Sequence, residues 1–204
     1  MPRHAFAFPQ HVRDAVKQHV DRAVLAVPID RFSQEPAYCA ALASQLEGVA
    51  YQDVDAQVEF KATVVADRSR STEWWSGADL AITAEVADSR VGVRKAILVQ
   101  AKRGALEELD EREKTRLLKQ IADMRALTGA PKVMDIRKVG SLADPGVYSG
   151  NGYAAGASPV RFRLSDYMVR RVLPTLDGDT RPHFVNGVQD SYLTTLRVYA
   201  RRFR

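Results

Sequence analysis

The sequence predicts an α/β domain with a central mixed sheet flanked by helices. Three observations carry that prediction. Valines recur at helical spacing near the start, at Val12, Val16, Val20, Val24 and Val27. The period shortens to that of strands between residues 58 and 102. A stretch over 105–128 then returns to the helical period, and another strand-like run follows it. At 204 residues the chain is long enough for one domain with a substantial core and no covalent staples.

The valine stripe gives a helix over 9–27, ended by Pro28, with His11 and His19 off the stripe as surface residues. A second helix over 35–47 starts at Glu35-Pro36 and stops at Gly48, and its alanines suit close packing on a sheet. Residues 58–65 read as a strand and 67–71 as a polar turn. A second strand spans 73–86 with Gly77 inside it, 88–90 turns, and a third strand spans 93–102. Within that third strand Ala96-Ile97-Leu98-Val99 is apolar on both faces, as in a strand buried from both sides. The helix over 105–128 opens with Glu107, Glu108, Asp110, Glu111 and Glu113, which complement its dipole, and Gly129 caps it. Residues 131–136 give a fourth strand. Five of the twelve glycines fall within 140–158, which predicts a loop. A short strand at 161–164 and a helix near 165–173 follow. A final helix is expected over about 187–203, with Val188, Tyr192, Leu196 and Tyr199 on one face.

Composition narrows the function. No apolar run approaches the roughly 20 residues that span a bilayer, so no membrane association is expected. The first ten residues carry no apolar segment of signal-peptide length, and the one cysteine, Cys39, cannot form an internal disulfide. A cytoplasmic, reduced setting is expected. Four histidines are too few and too scattered for a His-based metal site without carboxylates. The net charge of +5 lies wholly within 161–204, where nine arginines face four aspartates. Arginine outnumbers lysine 22 to 8. Localised guanidinium groups suit phosphate oxygens, although a solvated basic surface explains the charge equally well.

The chemistry concentrates at Ser76-Gly77-Ala78-Asp79 and Gln100-Ala101-Lys102. Side chains alternate along a strand, so Gln100 and Lys102 share a face. A turn centred between Ser89 and Arg90 pairs Asp79 with Gln100, which sets their Cβ atoms roughly 4.5–5.5 Å apart. A carboxylate, an amide oxygen and an ammonium then meet at the end of a dry strand. A buried lysine needs partners. A hard divalent cation would take oxygens from Asp79, from Gln100 and from the Ala101 backbone carbonyl. Lys102 would orient or deprotonate water, or neutralise developing charge. Phosphodiester hydrolysis needs that combination.

Asp79 followed by Gln100-X-Lys102 at the end of an apolar strand resembles the PD-(D/E)XK superfamily of nucleases, with its restriction-endonuclease-like fold. Gln100 stands where most members have an acid, a variant that occurs among modification-dependent restriction enzymes. Ala78 stands where the family name has proline. The resemblance covers about 37–136. It does not cover the N-terminal helix or residues 140–204; from length and patterning the chain reads as a single domain over 1–204 with that core, an extra N-terminal helix, and a basic helical appendage over about 160–204. The resemblance implies an Mg²⁺-dependent endonuclease, with Mn²⁺ able to substitute. The expected partner is nucleic acid, above all DNA, and the expected role is defence against foreign DNA, antiviral defence included, with a toxin effector or repair as the other roles such a nuclease fits. A homodimer would place two cuts on a duplex. Further carboxylates implied by the resemblance are Glu47, at the end of the second helix, and Glu73, with Glu59 weaker; Gln120 is a polar candidate on the long helix. Trp74 or Trp75 could stack on a base, and Arg103 could meet phosphate or the acidic run at 107–113.

Two other readings stand beside this one. Glutamine in place of an acid removes a charge from the cation site, which favours a catalytically inactive nucleic-acid-binding or assembly module of the same fold. An enzyme built on Cys39 or histidine has no supporting spacing, and Cys39 is expected to pack within its Ala-rich helix.

Overall fold

The computed structural model describes residues 6–65, 76–140 and 142–203. Eight strands form one mixed sheet: β1 Gly48–Gln52, β2 Ala56–Thr63, β3 Leu80–Ala87, β4 Gly92–Arg103, β5 Lys132–Val139, β6 Leu142–Ser149, β7 Phe162–Arg163 and β8 Thr195–Arg202. Their spatial order is β1-β2-β8-β3-β4-β5-β6-β7. The β8–β3 and β4–β5 pairs are parallel, and the others are antiparallel. The helices are α1 Gln10–Ala26, α2 Glu35–Leu46, α3 Glu111–Leu127, α4 Gly150–Ala154, α5 Leu164–Tyr167 and α6 Pro182–Gln189. This is the α/β domain with a central mixed sheet and flanking helices that the sequence predicts. None of these helices is long and apolar enough to cross a membrane.

The sheet is buried from both sides by two separate cores. One joins Val12, Val16 and Val20 of α1 and Leu42 and Leu46 of α2 to Leu80, Ile82, Ile97 and Val99. The other joins Leu117, Ile121 and Met124 of α3 and Phe184 and Val188 of α6 to Ala81, Leu98 and Val133. Alternation along β4 sends Ile97, Val99 and Ala101 to the first and Ala96 and Leu98 to the second. The apolar run is therefore buried on both faces, as expected.

Three expectations fail. Residues 187–203 are not a helix: α6 ends at Gln189, and Thr195–Arg202 is strand β8. The apolar residues there fit both periods. The slot between β2 and β3 decides in favour of alternation, which buries Leu196, Val198 and Ala200 and turns Arg197, Tyr199 and Arg201 to the other face. The C-terminal region is thus no appendage, and the core is not confined to 37–136, because the last strand lies mid-sheet. Residues 140–158 are not one loop either; Gly140 turns β5 into β6, which runs on into α4. The second expected strand begins at Leu80 rather than residue 73.

Gly77 explains that late start. Its φ is +67°, and a Cβ there would lie 2.5 Å from the Gln120 carbonyl oxygen of α3. Gly77→Ala combines a left-handed backbone with a clash against helix backbone, so it is expected to destabilise by about 2–4 kcal/mol, read by urea unfolding.

Behind β4 the first core holds two lysines. Lys95 is 2% exposed, and its ammonium donates to the Asp177 carbonyl. Lys132 meets the Asp177 carboxylate at 2.9 Å. Burial, with Lys132 adding to it, lowers the Lys95 pKa to about 8. Below pH 8 both folded and unfolded chains hold that proton, and the folded state bears the full cost. Between pH 8 and the ordinary lysine range only the unfolded chain holds it, so stability rises with pH. Wild type is therefore expected to gain about 2–3 kcal/mol on Lys95→Met between pH 7 and pH 10; equal pH profiles for the two proteins would remove this account.

Candidate functional site

The site is built where β3 begins and β4 is about to end. Every β3–β4 pair follows the register set by the turn, from Ala87↔Gly92 to Leu80↔Val99. Asp79, the next residue out, donates its N–H to Val99 O at 3.0 Å. At Ala78 and Gly77 the chain leaves the sheet, so β3 offers no carbonyl to the next N–H of β4. The Asp79 carboxylate fills that place, and Ala101 N–H donates to Asp79 Oδ2 at 2.8 Å.

Gln100 lies beside Asp79, as the register predicts. Its Nε2 donates to Asp79 Oδ2 and, at 2.9 Å, to Ala101 O. Its Oε1 is buried and has no hydrogen-bond partner. Lys102 follows on the same face. Its side chain is 4% exposed, and its Nζ reaches Glu113 Oε2 on α3 at 3.2 Å. Asp79, Gln100 and Lys102 are all buried.

The amide of Gln100 supplies a test of whether these residues suit a cation. Nε2 stands between two oxygens, Asp79 Oδ2 and Ala101 O. Turning the amide by half a revolution would bring Oε1 to the same place. Three oxygens, one of them anionic, would then converge, and only a cation among them would make that favourable. The donor chemistry fits a hard divalent ion, with Asp79 as the charged ligand and Gln100 and the Ala101 carbonyl as neutral ones. Among the described residues no cluster of three or more His, Cys, Asp or Glu is arranged for a metal.

The other expected residues fare differently. Glu47 does not join the site. It is an exposed residue at the C-terminal end of α2, and α2 packs on the opposite face of the sheet from Gln100 and Lys102. Glu73, Trp74 and Trp75 lie outside the described residues. Glu59 sits on β2 opposite Tyr199, in the row of Glu85, three rows along the sheet from Asp79. Among the described residues Arg103 does not pair with the acidic run at 107–113. Its guanidinium donates to Phe32 O at 2.8 Å, and its N–H donates to Glu35 on the α2 side. Gln120 lies on α3 against Gly77, and its Oε1 is a second buried amide oxygen without a partner. Cys39 is buried within α2.

Sequence reasoning missed the groups next to Lys102. Parallel pairing sets Lys102 opposite Asp135 of β5. Asp135 is fully buried and accepts from Arg137 Nε at 2.6 Å, Tyr148 OH at 2.7 Å and Arg161 Nε at 3.0 Å. Arg137 also meets Glu107 at 2.8 Å, and Arg161 meets Asp144 at 2.9 Å. Burial, and then the bond to Asp135, push the Tyr148 hydroxyl up to about 12. Gly146 leaves room for Arg161, because a Cβ there would lie 2.2 Å from its Nε. A polar band thus runs from Asp79 to Arg161 across four strands on one face. Only the parallel β4–β5 register, which no turn defines, would have revealed its second half.

No family model, no curated protein and no solved structure matches the chain.

Proposed function

We propose that this protein is a metal-dependent endonuclease that hydrolyses phosphodiester bonds, with DNA as its substrate. The observation that carries the reading is the buried Asp79–Gln100 pair with an unpartnered amide oxygen, and Lys102 buried one row along the same face. Asp79, Gln100 and the Ala101 carbonyl would hold Mg²⁺ or Mn²⁺. When bound, such an ion would lower the pKa of water and offset charge on phosphate oxygens. Asp79 holds the end of β4 in place through Ala101 N–H. Gln100 bridges the carboxylate and the carbonyl and keeps them apart. Lys102, held by Glu113, presents a fixed positive charge at the exit of the strand, where it would face a phosphate oxygen. A cytoplasmic homodimer acting against foreign DNA is the setting that goes with this reading.

One observation favours a second reading, a non-catalytic nucleic-acid-binding or assembly module. The Gln100 amide already joins Asp79 to Ala101 without a cation, so the strand end is complete as it stands. Plasmid and linear DNA incubated with Mg²⁺, Mn²⁺ or EDTA separate the two. Cleavage with either ion and none in EDTA is expected. Retention of DNA with no cleavage under any metal would support the module instead.

A further inference from the structure

The face of the sheet that carries Asp79 and Gln100 continues past them onto β8 and β2. There α2 packs behind the strands, on the first core, while the front shows polar side chains. The register places Lys61, Arg197 and Thr83 in one row, Glu59, Tyr199 and Glu85 in the next, and Gln57 and Arg201 in the one after. Rows are about 7 Å apart, so Arg197 lies two rows from Asp79 and Arg201 four.

The charges on this front are unevenly satisfied. Lys61 holds Glu59 at 3.6 Å, and Arg94 donates to Gln189 at 2.6 Å. Among the described residues neither Arg197 nor Arg201 has a carboxylate partner, and Arg197 Nε is buried with nothing to bond to. Between them stands Tyr199, with Lys61 Nζ 5.3 Å from its ring centroid. Lys61 is exposed and free to turn to an anion, which would open the ring. Two guanidinium groups with no carboxylate among the described residues, flanking an aromatic ring, match a chain of phosphates carrying flat bases. A duplex cannot offer a base face to a ring that lies within a sheet, whereas an unpaired strand can.

We propose that the β8–β2 face is a track for a single strand of nucleic acid, with Arg197, Arg201 and Lys61 on its phosphates and Tyr199 beneath a base. The track ends two rows along the sheet from Asp79, so its place in the reaction rests on the nuclease reading, but its existence does not.

Fluorescence anisotropy of the full chain in EDTA tests it without cleavage. The probes are labelled oligodeoxythymidylate and oligouridylate of about 15 nucleotides, a duplex of the same length, and polyglutamate. Both single strands are expected to bind more tightly than the duplex. Arg197→Gln/Arg201→Gln is expected to weaken them at least about tenfold and to flatten the slope of log K against log salt by about 1.4, as two lost phosphate contacts require. Tyr199→Leu is expected to weaken them several-fold with the slope unchanged. Arg201→Glu, at an exposed position, gives the same loss should the double variant fail to fold. Lys102→Met is expected to lose cutting yet keep the preference for single strands over duplex, so loss of cutting and loss of the track are separately visible. Equal binding by the arginine variants, duplex bound as tightly as single strands, or polyglutamate bound as tightly as either, would overturn the proposal.

Discussion

Lys102→Met is expected to lower Mg²⁺-dependent cleavage by about 10²–10⁴-fold while leaving the fold in place. Methionine retains the length of the stem, so the buried volume beside β4 changes little. The partner left behind, Glu113, has a side chain that is 38% exposed and can rehydrate. It also keeps a contact with Arg116, at 3.9 Å. The loss of stability should therefore be small, within about 1 kcal/mol of a surface ion pair's worth. Activity has no such cushion. An ammonium that is almost wholly removed from water acts on a phosphate oxygen through a medium that screens it weakly, so nothing else nearby restores its effect. Single-turnover cleavage of supercoiled plasmid, with unfolding measured on the same preparations, separates these two effects. A Lys102→Met protein that cuts at the wild-type rate would leave the proposed hydrolysis without its cation at the strand exit. Loss of cutting together with an equal loss of folded protein would point to a structural lysine.

The first half of the site was legible because a short turn fixes a register. Once Ser89-Arg90 is read as the turn, arithmetic alone brings Asp79 to Gln100, and alternation adds Lys102. The second half was hidden because β4 and β5 are parallel and joined through α3, so no local rule sets Lys102 against Asp135. Strand β8 was hidden for a different reason. Leu196, Val198 and Ala200 alternate, yet Val188, Tyr192, Leu196 and Tyr199 also lie on a helical stripe, and only a vacant place between β2 and β3 distinguishes the two. Glu47 was misplaced because helix ends carry no information about which face of a sheet the helix will cover. Within 140–158 the glycines suggested irregular chain. In the structure Gly146 instead sits inside β6, where it lets Arg161 lie across the strand.

Asp135→Ala is expected to destabilise the protein by about 3–5 kcal/mol, the largest effect of any substitution in the polar band. The carboxylate is fully buried and accepts three hydrogen bonds, two of them from guanidinium groups. Truncation takes away the acceptor of the Tyr148 hydroxyl proton, leaving that buried group only the bond it accepts from Arg137 at 2.7 Å, and leaves Arg137 and Arg161 without the anion between them. The Arg137 and Arg161 side chains are 30% and 21% exposed and retain Glu107 and Asp144, so part of their charge can be taken up elsewhere. That places the expected value toward the lower end. Asp135→Asn isolates the charge from the volume. It keeps one acceptor, but it turns an amide N–H toward donors, and it is expected to cost about 2–3 kcal/mol. It also has a spectroscopic signature. The bond to Asp135 is the second cause, after burial, that raises the Tyr148 pKa to about 12. A group so raised contributes stability below its unfolded pKa of about 10 and loses it as pH climbs through 12. In Asp135→Asn the ultraviolet titration of one tyrosine should move down toward the ordinary range, and the alkaline loss of stability should shrink with it. An unshifted tyrosine titration would show that burial alone sets Tyr148, and that the carboxylate holds only the two arginines beneath the end of β4.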